Sequence, residues 1–176
     1  MSKIKENSGV LVQGHIKIHD PESGAVFVNK RNAIHYENMS IALAESVANQ
    51  GQGFISSMAF GNGGTSVDPT GIITYLTPNS TGTNASLYNQ TFTKIVDDRS
   101  VSNLDPQRNK IETRHVNGTN YTDVVVTCLL DYGEPNGQDA TDTASASDSL
   151  YVFDELGLVS YASSGTGKLL THVIFH

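Results

Sequence analysis

The residues that could do chemistry in this chain are a glycine-dense turn, two acidic stretches, six histidines and one cysteine. The turn Gly61-Asn62-Gly63-Gly64-Thr65-Ser66 follows a strand-like segment, so a phosphate cradle is the first chemistry to test. It lacks the lysine of a P-loop, and no helical pattern follows it. A tight turn or bulge that needs positive φ several times over is the expectation. The acidic stretch from Asp131 to Asp139 offers oxygens to calcium, but its spacing does not match an EF-hand loop, which leaves a solvated turn. Asp97 and Asp98 are adjacent, and neighbouring strand residues point to opposite faces, so they do not converge on one reacting atom without a bulge.

The histidines stand at 15, 19, 35, 115, 172 and 176. His15 and His19 share a strand face but lie four residues apart, further than a metal pair usually allows. His35 precedes a helical pattern, where a hydrogen bond from its ring would tie down the turn. No serine sits in a Gly-X-Ser-X-Gly elbow. Cys128 is alone within the apolar run from Val124 to Leu130, which makes it a packing residue. The chain is therefore expected to be non-enzymatic, with no catalytic residue, no metal and no cofactor.

The elements that would position these residues are mostly strands. In 176 residues, 38% are hydrophobic and only 16% charged, with Asn, Ser, Thr and Gly filling the difference. That composition belongs to β-rich chains with many turns, and it suits surfaces that end against neighbours. A net charge of -7 with scattered basic residues argues against nucleic acid as a ligand. The start, MSKIKENSGV, lacks the apolar core of a signal peptide, and no run reaches membrane-spanning length, so synthesis in a cytoplasm and no membrane partner are expected. Asn-X-Ser/Thr triplets at Asn38, Asn79, Asn84, Asn89, Asn117 and Asn120 then reflect composition, not glycosylation.

Residues 10 to 19 alternate as a strand, with Ile16 and Ile18 on one face and His15, Lys17 and His19 on the other. Asp20-Pro21-Glu22-Ser23-Gly24 turns the chain, and 25 to 29 returns. A helix over about 38 to 49, capped by Glu37 or Asn38, carries the stripe Met39, Leu43, Ala44 and Val47. Gly51 stands where a left-handed C-cap is expected. Strands follow at 54–60, 71–77, 87–97, 109–116, 121–130, 150–153 and 169–175. The run at 124 to 126 predicts a strand covered on both faces. Segments 77–86 and 133–149 read as long polar loops, and 1–9 as a flexible arm. The fold class is all-β, a mainly antiparallel sandwich or partly closed barrel with one short packed helix near the N-terminus, in a single domain over 1–176.

The segments GHIKIHDPESGAVFVNKRNAIHYENMS and MAFGNGGTSVDPTGIITYL resemble those of virion structural proteins from tailed bacteriophages, particularly contractile-tailed ones. The pieces at 87–91, 124–130, 153–158 and 169–172 fit the same pattern, so the resemblance spans about 12 to 175. It implies a non-enzymatic building block of the neck or collar at the head–tail junction, located in the virion and made in the host bacterial cytoplasm. The implied partners are further copies in a homo-oligomeric ring and other virion proteins: portal or connector, tail or sheath. Similar proteins continue past the last strand, which places that strand at a sheet edge here, open to completion by a neighbouring subunit.

Contacts are expected on the hairpin at 14–30, the loops at 77–86 and 133–149, and the terminal strand. The residues singled out are His15, Lys17, His19 and His172, with Tyr75, Tyr88, Tyr132 and Tyr161 as aromatic anchors. The alternatives are a capsid decoration, tail tube or baseplate component, or a carbohydrate-binding β-domain of a host-recognition structure. The absence of tryptophan lowers the odds of the last.

Overall fold

The computed structural model describes residues 9–131, 133–135 and 153–175. It is mostly antiparallel β, with a curled half-barrel sheet and one short helix. Strands β1 (Gly14–His19) and β2 (Val26–Ile34) form the hairpin, and α1 (Tyr36–Val47) follows directly. Then come β3 (Ile55–Gly61), β4 (Thr65–Val67), β5 (Ile73–Tyr75), β6 (Gln90–Ile95), β7 (Lys110–His115) and β8 (Thr122–Thr127). β9 (Glu155–Ser160) and β10 (Thr171–Ile174) close the described chain. Residues 150–152 of the expected strand at 150–153 lie outside the described residues, and Phe153 precedes β9 without joining it.

Six strands form one antiparallel sheet in the order β1-β2-β10-β9-β3-β6, while β4–β5 and β7–β8 form two-stranded ribbons. β10 thus sits between β2 and β9, which corrects the expectation of an edge. The edges are β1 and β6. Strand order is a non-local property, and the pattern of one strand does not encode its neighbours.

The sheet buries apolar side chains on both faces, because alternation sends Ala59 one way and Phe60 the other. Ala59 packs with Leu87 and Leu169, and Phe60 with Leu156 and Val173. Around the second group gather Ile16 and Ile18, as the hairpin alternation predicts, together with Phe92, Cys128, Leu130, Phe153 and Phe175.

The helix begins two residues earlier than expected, because His35 and not Glu37 or Asn38 is its N-cap. The His35 Nδ1 accepts the backbone N–H of Asn38, and its Nε2 lies 2.9 Å from the Gly82 carbonyl. A backbone N–H can only donate, so the ring is the Nε2–H tautomer and donates to Gly82. The buried face is Asn38 and Ala42, whereas Leu43 is 41% and Val47 87% exposed. The apolar stripe lost to a polar tether: the Asn38 amide donates to the Leu169 carbonyl at 2.9 Å and rotates that face inward. The helix ends in a Schellman arrangement, with Asn49 N–H to Ser46 O and Gln50 N–H to Glu45 O. Asn49, at φ 52, takes the left-handed position expected of Gly51.

Candidate functional site

Alternation along β1 turns His15, Lys17 and His19 outward, and all three are exposed. The register with β2 sets His15 opposite Arg31 and Lys17 opposite Asn29, so these side chains share one sheet face. The His15 Nε2 lies 2.6 Å from Asn29 Oδ1 and donates to it. Arg31, Ala33, Tyr75, Leu76, Pro78 and His172 line a groove of about 150 Å³ beside this face. Lys30 is tied down, donating to the Ile174 carbonyl at 2.7 Å. Among the described residues no ion pair engages Lys17 or Arg31, so a locally basic strip stands on a chain of net charge -7.

The structure thus gathers four of the sequence-selected positions, His15, Lys17, His19 and Tyr75, on or beside one face. Of the others, His172 borders the groove, and the remaining tyrosines lie elsewhere. Tyr88 donates to the Thr77 carbonyl at 2.6 Å and leans over the His172 ring. Tyr161 stacks on Phe54 at 4.9 Å, with both rings part-exposed. Tyr132 lies outside the described residues, as does most of the loop 133–149. His172 is corrected: it is wholly buried and presents no surface to a neighbour.

Sequence reading missed what His172 does. Glu155 is also wholly buried, and its carboxylate accepts from His172 Nε2 at 2.9 Å and from the backbone N–H groups of Gly63, Tyr88 and Asn89. The neighbouring Asp154 accepts from the N–H groups of Gly64 and Thr65 and from the Thr65 hydroxyl. Two adjacent carboxylates therefore grip the glycine turn from 61 to 65. None of Gly61, Gly63 and Gly64 has positive φ, so the expected reason for this glycine run is wrong. The reason is proximity: a Cβ on Gly61 would meet Asn89 O at 2.4 Å and Glu155 Oε1 at 2.6 Å. The register does shift between Phe60 and Gly61, a ladder irregularity at the expected place of a tight turn or bulge. A side chain of glutamate, buried and placed 92 residues away from the turn it binds, gives no local sequence signal.

Burial alone would raise the Glu155 carboxyl, but the His172 donor and three backbone N–H groups outweigh it and hold it below the ordinary value of 4.5. The acidic stretch at 131–134 is likewise engaged. Arg108 grips Asp131 in a two-pronged pair at 2.8 and 2.9 Å and also pairs with Asp105, while Lys94 pairs with Glu134. Burial pushes the Cys128 thiol up to about 12, keeping it protonated and inert at neutral pH.

These anchors hold the base of the β7–β8 ribbon, which pairs with no other described strand. The expected double coverage of 124–126 is therefore incorrect, and Val124 is 55% exposed. The register divides the ribbon sharply. One face carries Ile111, Thr113 and His115 opposite Val126, Val124 and Thr122; the other carries Lys110, Glu112 and Arg114 opposite Thr127, Val125 and Asp123. Glu112 pairs with both of its basic neighbours on that second face. A search of protein-family models, of curated proteins and of solved structures finds no match to this chain in any of the three.

Proposed function

We propose that this chain is a non-enzymatic structural subunit of a tailed-bacteriophage particle that assembles with copies of itself, in the neck or collar region. The observation that carries the reading is the β7–β8 ribbon. A two-stranded ribbon alone in water is marginal. This one is fixed at its base by Arg108 and Lys94, yet turns a face of valine, threonine and isoleucine outward toward its tip, where Thr113, Tyr121 and Val124 are exposed. All four charged side chains of the paired strands lie on the opposite face. Such segregation suits a surface that is covered in the assembled state. The sequence resemblance supplies the particle and the region, with portal, connector, tail or sheath proteins as the remaining neighbours.

Light scattering behind size exclusion, at several concentrations, tests this. A discrete oligomer whose mass falls toward the monomer in Val124→Glu is the expected result. A monomer at every concentration would overturn the self-assembly reading.

A further inference from the structure

We infer that the edge strand β1 of one copy pairs antiparallel with the edge strand β6 of a second copy, head to tail. The inference rests on the self-assembly reading above, but its observations are separate from the ribbon. The six-stranded sheet stops short of closing, and no described strand pairs with the outer edge of β1 or of β6. An unpaired edge presents a row of backbone donors and acceptors ready to bind another strand.

Direction selects the mode of addition. Every neighbouring pair in the sheet is antiparallel, so with six strands β1 and β6 run in opposite senses. A second copy added edge to edge in the same orientation therefore continues the antiparallel ladder without interruption. The contact is heterologous, since each copy offers β1 on one side and β6 on the other.

Charge selects the partner edge. β1 carries Lys17 between His15 and His19, all exposed, and Arg31 flanks them on β2. The chain leaves β6 through Asp97 and Asp98, and no ion pair engages either among the described residues. In antiparallel pairing the end of β6 lies beside the start of β1, which brings Asp97 and Asp98 to the His15 end of β1, with Asp98 about 20 Å along the strand from Lys17 when the two six-residue strands pair end to end. Pairing β1 with another β1 would instead set lysine and histidines against themselves, and like charges opposed across strands destabilise. A lysine in the middle of an edge strand thus blocks self-pairing while favouring the edge that leaves through two carboxylates, where the lysine of β6, Lys94, is already paired with Glu134.

The test uses two single variants, Lys17→Cys and Asp98→Cys, at exposed positions, in the full chain with a bis-maleimide spanning about 20 Å, six residues of strand; Cys128 is half-buried and present in every sample, so the unsubstituted chain is the control. A cross-linked dimer in the mixture of the two variants, and in neither alone, is expected. Lys17→Glu and Asp98→Lys should each weaken self-association about tenfold, with recovery in the double variant. Cross-linking of Lys17→Cys with itself would overturn the inference in favour of β1–β1 pairing. An oligomer by light scattering that yields no cross-link in the mixture, and that both charge variants leave unchanged, would overturn the edge pairing but leave self-assembly standing. A monomer at all concentrations would remove both.

Discussion

His172 donates from Nε2 to Glu155 Oε2 at 2.9 Å, with both side chains wholly buried. The other ring nitrogen fixes the proton's position: His172 Nδ1 accepts the backbone N–H of Asn79 at 2.8 Å. An N–H cannot accept, so the imidazole is the neutral Nε2–H tautomer, and the contact is a charge-assisted hydrogen bond and not an ion pair. Through this one contact, β10 and β9 hold the loop at Asn79 and the turn at Gly63 together. His35 performs the parallel task on Gly82, so two buried histidines pin the polar segment 77–86 to the body of the fold.

Removing the Glu155 carboxylate should be severe, because it strands four donors at once. Glu155→Ala is expected to cost about 3–5 kcal/mol, because one buried donor left without an acceptor already costs about 1–3 kcal/mol and four lose theirs here. Glu155→Gln keeps the volume but turns an NH₂ toward N–H groups on one side, whichever way the amide is flipped. It should cost about 1–3 kcal/mol, the penalty for leaving buried donors unsatisfied. Urea unfolding midpoints at neutral pH measure both, and a shift equivalent to less than about 0.5 kcal/mol in either would contradict the clamp.

The same carboxylate sets an acid limit. The folded-state value of Glu155 lies below 4.5, so its ionised form is favoured by folding. That stabilisation is fully present above pH 4.5 and is lost as pH falls through the lower folded value, where the native state must take up a proton the unfolded chain already holds. Asp20, Asp68 and Asp105 are lowered as well, but they are solvent-exposed and screened. Thermal unfolding followed from pH 7 down to pH 3 should show Tm falling below about pH 4.5. Glu155→Gln, less stable at neutral pH, should show a shallower fall. Parallel curves would assign the acid sensitivity to other carboxylates.

What the sequence disclosed and what it hid divide along a physical line. The β1–β2 hairpin was legible because period two is a local property: Ile16 and Ile18 face in, His15 and Lys17 out. A helix after Ile34 was legible for the same reason. Its buried face was not, since the Asn38–Leu169 bond that orients it spans 131 residues. The run Val124-Val125-Val126 reads as a central strand by hydrophobicity alone, yet it stands in a ribbon with one neighbour. The basic strip was half legible: His15, Lys17 and His19 follow from alternation, whereas Arg31 joins them only through the register. The Asp154–Glu155 clamp was invisible, because nothing near either carboxylate in the chain marks the turn that it holds.

The glycine turn offers the cleanest separation of two explanations for one motif. If its glycines served left-handed backbone, alanine would be opposed by torsional strain; here φ is not positive at Gly61, and contact is the obstacle. An alanine Cβ there would lie 2.4 Å from the Asn89 carbonyl oxygen, a backbone atom of the β6 approach that cannot rotate away. Gly61→Ala should therefore cost about 1–3 kcal/mol by overpacking and loosen Glu155's hold on Asn89. Gly9→Ala, with nothing within 4 Å of the new methyl and no positive φ, is the control and should stay within about 0.5 kcal/mol. Urea unfolding reads the stability, and amide hydrogen exchange at Gly63 and Asn89 reads the clamp. Faster exchange at both amides in Gly61→Ala, with Gly9→Ala unchanged, is the expected pattern; equal stability and equal exchange in the two variants would show that the close approach is not what requires glycine.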